Sequence, residues 1–367
     1  MKKNFKDICW TVTLFLFLNP LITISILVPY LIFSNSYTSD QLIVISIFGA
    51  VFAVVTNLSI TMGYHRLFSH KAYEAHPVLQ GFLLLIGSGA FQGSALKWSS
   101  DHRMHHRFED TEKDPYSIHR GFWHAHMGWM MMHETVSLPI SAVDLEKNKL
   151  VLFQHKYYGI LSLVVGYFFP AYIGWCFGNV LLGLTIGGGL RIFLTQQSTF
   201  FVNSLSHMHG KTTYSKEKTA RDSILVAVLT HGEGYHNFHH KFQFDYRNGI
   251  RWYHWDPTKW TIQMAHIFGL AQKLKTVHFS EILKARLNSE SEAFTQTKFF
   301  EEHLLPIKNK IIESQIRFEE LKVQYRQSGQ DKIDQIKFEM KLVSQELKCN
   351  MRAWRQLMKS ADHIAYT

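Results

Sequence analysis

Hydrophobic and polar positions fall in blocks along this chain. Residues 8–33, ICWTVTLFLFLNPLITISILVPYLIF, carry no charge over 26 positions, enough for a helix to cross a hydrocarbon core of about 30 Å. A second apolar run, 42–62, stops just short of His65, and a third and fourth follow at roughly 160–177 and 180–201. The pattern predicts an all-α integral membrane protein with four transmembrane helices. A cleaved signal peptide fits the first run less well, because Pro20 and Pro29 interrupt it and no small-x-small site closes it. The stretch 78–96, VLQGFLLLIGSGAFQGSAL, is apolar but short and glycine-broken. It predicts a re-entrant or interfacial helix, since a fifth crossing would put the later loops on the opposite side.

Beyond about residue 281 the pattern changes to charged and helix-forming. Ile336, Met340, Val343, Leu347, Met351 and Trp354 step by three or four, an amphipathic stripe, and RQSGQD at 326–331 reads as a turn. The expected organisation is a membrane domain, 1–280, followed by a charged helical extension, 281–367, folded as a hairpin that packs or self-associates.

Charge orients the spans. Lys2, Lys3 and Lys6 precede the first, SNSYTSD between the first and second has no Lys or Arg, and 63–159 is rich in both. By the positive-inside rule both termini and the 63–159 loop are expected in the cytoplasm, and a bacterial inner membrane is the expected location. The net charge of +10 then belongs to loops facing anionic lipid, and no nucleic-acid motif competes with that reading. Cys9, Cys176 and Cys349 share no disulfide or zinc spacing.

The candidate chemistry lies in the histidines, 22 in all, gathered in HRLFSH (65–70), HRMHH (102–106), NSLSH (203–207) and HNFHH (236–240). Residues four apart share a helix face, which pairs His102 with His106, His236 with His240, and Asn203 with His207. Neighbours diverge by about 100°. His105 beside His106, and His239 beside His240, therefore read as ligands of two different ions. His65 and His70, five apart, share no face of an ideal helix, so His70 is expected past its end. Lone histidines such as His76, His155 and His278 read as surface or satisfied residues, and His231 as outside the ligand set. No box contains Asp, Glu or Cys, which argues against carboxylate di-iron bundles, iron–sulfur centres and structural zinc. Nitrogen-rich ligation suits iron, copper, nickel or zinc. A metal pair at a membrane surface beneath four spans is placed to act on a lipid chain, where hydrolysis has nothing to polarise, and an oxygen-activating metal, iron first, is the sensible expectation.

The boxes, together with WSSDHRMHHRFEDTEKDPYS, RGFWHAHMGW, GEGYHNFHHKFQFDYRNG and WDPTKW, resemble the membrane-bound fatty acyl desaturases, specifically the stearoyl-CoA (Δ9) branch, over about residues 40–270. The resemblance implies two irons. His65, His70, His102, His106 and His239 would hold one; His105, His207, His236 and His240 would hold the other, with Asn203 reaching it through a water. It further implies O2-dependent insertion of a cis double bond, Δ9, into a saturated long-chain acyl group, acyl-CoA before other carriers, in a cytoplasmic helical domain beneath the spans. Gly49, Ala53, Trp98 and Thr199 are expected along the acyl tunnel, Gly49 and Ala53 at its far end.

The pattern departs from the animal acyl-CoA members where an arginine precedes the Asp of the second box and an Arg-Lys pair follows Gly-Trp. Here those places hold Ser100, and His133 with Glu134. Arg66, Lys71, Lys97, Arg103, Arg107 and Arg120 remain as candidates for a phosphate-bearing carrier, and chains on a phospholipid or on acyl-carrier protein stay open. No haem-binding His-Pro-Gly-Gly stretch or ferredoxin-like cysteine run is present, so electrons are expected from a separate protein. The rivals are a membrane fatty-acid or alkane hydroxylase and, outside enzymes, a membrane metal or haem carrier.

Overall fold

A computed structural model describes residues 7–132 and 142–365, side chains to 361. The chain divides into two compact units, residues 1–211 with 218–276, and residues 212–217 with 277–367.

Three helices of the first unit are long and apolar enough to cross a membrane: α1 (Trp10–Phe33), α2 (Ser39–Ser69) and α5 (Tyr158–Cys176). The fourth apolar run is helical over residues 180–203 (α6), but Arg191 sits in its middle behind Gly187, Gly188 and Gly189, which leaves it less apolar than the other three. Small residues let α5 and α6 approach closely. A Cβ added at Gly174 would lie 2.9 Å from Gly183 Cα.

Thr38 starts α2 with a capping box, its hydroxyl accepting from Gln41 N while Gln41 Oε1 accepts from Thr38 N. At 1.5 Å per residue, 31 residues run to about 45 Å, well past a hydrocarbon core of about 30 Å. The surplus carries His65 clear of the apolar run. The last 11 residues of α2, Ser59–Ser69, wind as a π-helix, and all of them are buried.

α3 (Pro77–Ser88) is 12 residues long, too short to span, and ends in a loop that turns back through left-handed Phe91 and Gly93 into α4 (Ala95–Phe108). Short helical turns at 118–131 and 143–156 precede α5. After α6 come α7 (Ile224–Leu229), α8 (His236–Lys241) and α9 (Pro257–Ile267). α9 starts on Asp256, which accepts from Lys259 N, with Pro257 in the first turn. Two-residue strands, Glu74–Ala75 and Ala271–Gln272, pair antiparallel and tie α9 back to the end of α2.

The second unit comprises α10 (Phe279–Ser291), α11 (Leu305–Gln327) and α12 (Gln330–Ala365). The hairpin between α11 and α12 turns at Ser328 and Gly329. Ile336, Val343 and Met340 pack on Phe318 and Leu321. Leu347, Met351 and Trp354 close over Leu283, Leu287, Phe300 and Ile311, and Trp354 Nε1 donates to Glu290 at 2.8 Å.

Candidate metal centre

Four short segments present the histidines. α4 begins on Ser94, which accepts from Lys97 N, and its regular turn brings His102 and His106 to one face and His105 to another. Arg103, pointing away from them, donates to the carbonyls of Phe68 (2.6 Å) and Ser69 (3.0 Å) and pairs with Asp144 (2.7 Å), docking α4 on the end of α2. The π-turn explains the first box. His70 N donates to His65 O, five residues back, at 3.2 Å, and the wider turn carries both imidazoles toward one point. α8 supplies His236, His239 and His240. His207 stands on a 3-10 turn, Leu205–His207, after α6 has ended at Asn203.

The rings converge in two groups, His65, His70, His102, His106 and His239, and His105, His207, His236 and His240, each with its candidate ligand atoms within 4.8 Å of one another. Within the first, Nε2 of His102 lies 2.8 Å from that of His70 and 3.1 Å from that of His106, and Nε2 of His239 lies 3.0 Å from those of His65 and His106. Within the second, His236 Nε2 is 3.1 Å from His207 Nε2 and 3.0 Å from His240 Nε2, and His105 and His240 are 3.4 Å apart. Two nitrogens bound at right angles to one ion at about 2.1 Å sit about 3 Å apart. The spacing is that of ligand edges around an ion, and the donor sets fit a nitrogen-bound transition metal. The rings of His106 and His240 stack at 4.3 Å, joining the groups.

Burial pushes His70, His102, His106, His236, His239 and His240 well below the ordinary histidine pKa, neighbouring imidazoles adding to the effect, and His207 falls to about 3. Neutral imidazole is the form that binds metal. On the outer side the Nδ1 atoms of His65, His102, His105 and His207 meet fixed partners, which selects the tautomer with Nε2 free. His65 Nδ1 lies 2.9 Å from Glu233 Oε2, His105 Nδ1 2.9 Å from Asp114 Oδ1, and His102 Nδ1 3.0 Å from the Tyr116 hydroxyl. His207 Nδ1 lies 2.8 Å from Thr219 Oγ1, which donates to Asp110 at 2.6 Å. His240 Nδ1 is 2.9 Å from Glu109 Oε2 but off the hydrogen-bond line. Burial lowers the His105 ring, but Asp114, with Glu109 and Asp110, outweighs it and shifts the ring upward.

Glu233 accepts from Arg66 Nη2 (2.9 Å) and from Asn248 Nδ2 (2.6 Å), and Arg66 also pairs with Asp256 at 2.9 Å. Burial alone would raise the Glu233 carboxyl; Arg66 and His65 outweigh it and bring it to about 2. Burial raises Glu109 to about 7 against the pull of His105 and Lys218. None of these carboxylates was singled out by the pattern of boxes.

Two cavities open against the first histidine group. One is bordered by Gln92, Trp98, Asp101, His102, Thr199 and Asn203; the other by Asn57, Thr61, His65, Trp98, Thr199 and Glu233. Trp98 stacks on the His102 ring at 5.0 Å, and Gln92 Nε2 donates to Thr199 at 2.9 Å. Trp98 and Thr199 thus border both cavities. Gly49 and Ala53 border neither. A Cβ on Gly49 would meet Ile186 Cγ2 at 3.0 Å and its carbonyl at 3.4 Å, so this glycine serves the close approach of α2 and α6. Asn203 and His207 do not share a helix face, because α6 stops between them; Asn203 points into the cavity with Trp98. Arg66 is withdrawn from the phosphate candidates, being 1% exposed and held by Glu233 and Asp256. Lys71 and Arg103 are engaged by Asp144, and Lys97 by Asp101. Ser100 donates to Leu96 O, and His133 and Glu134 lie outside the described residues.

Buried imidazole groups able to hold metal ions, in a unit with helices long and apolar enough to cross a membrane, fit the class of membrane metalloproteins, and residues 42–265 match the family model described as fatty acid desaturase. The chain belongs to that family. It is 40% identical over 255 residues to acyl-CoA desaturase 1 of Saccharomyces cerevisiae, an alignment covering 69% of this chain and 50% of that protein. It is 39% identical over 287 residues to a probable acyl-CoA desaturase of Schizosaccharomyces pombe (77% and 58%), and 34% identical over 253 residues to stearoyl-CoA desaturase 2 of Rattus norvegicus (67% and 70%). The chain thus spans about half the length of the yeast relatives. All three come from eukaryotes and lend no support to the bacterial membrane expected from the sequence.

Proposed function

We propose that the protein is a di-iron acyl-CoA desaturase that places a cis double bond, Δ9, in a saturated long chain. The observation that carries this is the pair of all-imidazole groups, five and four rings with neighbouring Nε2 atoms about 3 Å apart, the five-ring group facing cavities walled by Trp98 and Thr199. His65, His70, His102, His106 and His239 would hold one iron and His105, His207, His236 and His240 the other, Asn203 reaching the second through a water. Bound iron would supply O2 activation and removal of hydrogen from two adjacent methylenes. In the balance, the chain gives up two hydrogens, a separate electron-transfer protein gives two electrons, two protons enter, and O2 leaves as two waters.

The chain's own residues set where this happens. Glu233, Asp114, Thr219 and Tyr116 hold the imidazoles by Nδ1 so that their Nε2 atoms face inward. Trp98, stacked on His102, and Thr199, held by Gln92, form the wall against which two methylenes are fixed, and burial keeps bulk water from the reacting carbons. CoA is taken from the names of the relatives, and the carrier's phosphates would fall to exposed cations such as Arg107. The domain reading places membrane and site in residues 1–280 and the charged extension in 281–367. α6 is read as the fourth span, with both termini and the histidine groups on the cytoplasmic side.

The test is expression in a host lacking its own desaturase, followed by chromatography of the lipids with location of the double bond. A cis 9,10-monoene is expected; a hydroxylated chain supports the hydroxylase instead. Exchangeable metal or a haem Soret band without O2 consumption supports the carrier.

A further inference from the structure

Arg191 is the least expected residue of the apolar helices. It lies in the middle of α6 and is 1% exposed, where an intramembrane charge is costly unless its donors are met. Its acceptors are three backbone carbonyls and a hydroxyl: Gly187 O (3.0 Å), Gly89 O (2.8 Å), Gly166 O (3.1 Å) and Thr56 Oγ1 (3.5 Å), and the guanidinium lies 4.6 Å from the centre of the Phe52 ring. Two of those carbonyls lack the usual helical donor. Gly89 is the C-cap residue of α3, and four residues after Gly166 stands Pro170, whose nitrogen carries no hydrogen. One side chain on α6 thus joins the end of α3 to the π-wound stretch of α5, Val164–Phe168.

Gly89 opens the loop 89–93, which runs to the edge of the site. This loop is wedged against α5, where a Cβ on Gly166 would fall 2.3 Å from Phe91 Cε2. Phe91 keeps a left-handed backbone, φ 55°, which a bulky residue adopts only when its surroundings hold it there. Those surroundings are Gln196 Nε2 donating to Phe91 O (3.2 Å), the Phe15 ring stacked at 4.7 Å, and the Tyr158 hydroxyl accepting from Gly93 N (2.9 Å). Between Phe91 and Gly93 stands Gln92, whose Nε2 reaches Thr199 across the cavity while its buried Oε1 has no partner among the described residues. A side chain with one amide atom unpaired is poorly held by its own contacts, so its position depends on the backbone that carries it.

We infer that Arg191 is a positioning residue: it clamps the loop 89–93 and so fixes the Gln92–Thr199 wall that sets which carbons of the acyl chain lie next to the metal centre. This rests on the desaturase reading above. Without the clamp the loop keeps its backbone bonds to the last turn of α3, but its polar ties to α5 and α6 reduce to Tyr158, Gln196 and the Gln92–Thr199 bond itself, and the wall shifts with it.

The test uses the full chain with Arg191→Met, Arg191→Lys and Gln196→Leu. Amide hydrogen exchange over 89–93 is expected to be about tenfold faster in Arg191→Met, to lie between in Arg191→Lys, and to be unchanged over 236–241 in both. In expressing cells the monoenes of Arg191→Met should spread to neighbouring double-bond positions; a change that only lowers stability reduces total monoene without altering the ratio of positional isomers. Unchanged exchange over 89–93 overturns the clamp whatever the activity. Faster exchange with an unaltered isomer ratio overturns the positioning role. If Arg191→Met fails to insert, the same two readings on Arg191→Lys and Gln196→Leu decide. If the unmodified protein makes no monoene at all, the functional reading fails and the exchange measurement alone decides the clamp.

Discussion

The five-histidine group is braced by a carboxylate that is itself clamped, whereas the four-histidine group leans on carboxylates strung along a loop. Glu233 is held by Arg66 and Asn248 in a fully buried network that extends to Asp256 and α9. Asp114, Glu109 and Asp110 come from residues 109–114, and half-buried Lys218 pairs with Glu109 at 3.4 Å. Both groups are buried, and the difference lies in the support: an ion-paired network reaching several elements for one, carboxylates of a single short segment for the other. With four protein nitrogens against five, the second also leaves more coordination space for a further ligand.

Removing a ring is the harshest way to break this comparison. His239→Ala and His240→Ala are each expected to abolish activity, a loss beyond the roughly 10–100-fold that accompanies removal of a supporting residue. Metal analysis of the purified variants should show about one ion missing from each and the other retained; loss of both from either variant would mean the groups do not fill independently.

Breaking the supports separates the two groups. Glu233→Gln should lower metal affinity or activity about 10–100-fold and also destabilise the fold by about 3–5 kcal/mol, because Arg66 loses one of two buried partners. Asp114→Asn should show the first effect with little of the second. Thermal unfolding with a parallel metal titration checks both, and equal melting points would remove the distinction.

Acid sharpens it further in the metal-free protein. Six of the rings are depressed well below the usual value and His207 to about 3, whereas the unfolded chain protonates near the ordinary histidine pKa of about 6.5. The stability is therefore full above about pH 6.5 and falls as pH drops below it, since only the unfolded chain takes up those protons. The melting temperature of metal-free protein should decline from pH 7 to pH 5, and bound metal should suppress the decline.

The smallest effect belongs to α2 far from both groups. Gly49→Ala should cost about 1 kcal/mol through the contact with Ile186 and leave the ratio of sixteen- to eighteen-carbon monoenes unchanged. A selective loss of the longer product would return Gly49 to the tunnel.

How much of the centre was legible depends on which rule each residue obeys. His102 with His106 and His236 with His240 sit on regular helix, so spacing by four placed them, and the apolar runs marked α1, α2 and α5 for the same kind of reason. Asn203 and His207 have that spacing too, but a helix end falls between them, and no proline or glycine marks it. Glu233, Asp114 and Glu109 are single acids in irregular segments, and periodicity says nothing about single residues. Their one visible signal is nearness to a histidine box, three positions for Glu233 and Glu109 and eight for Asp114. Arg66 looked like a surface cation because charge alone does not disclose two buried carboxylates arriving from residues 233 and 256.

The π-turn at 59–69 has a consequence for how the sequence can change. A π-turn behaves as an α-turn with one extra residue inserted, so the four residues between His65 and His70 do what three do between His102 and His106. Deleting one residue from the segment 59–64 would let it relax to an ordinary helix and swing His65 about 100° around the axis, away from its partners. Length, rather than side-chain identity, is the fragile property of this segment: conservative substitutions there should be tolerated far better than a deletion of any single residue.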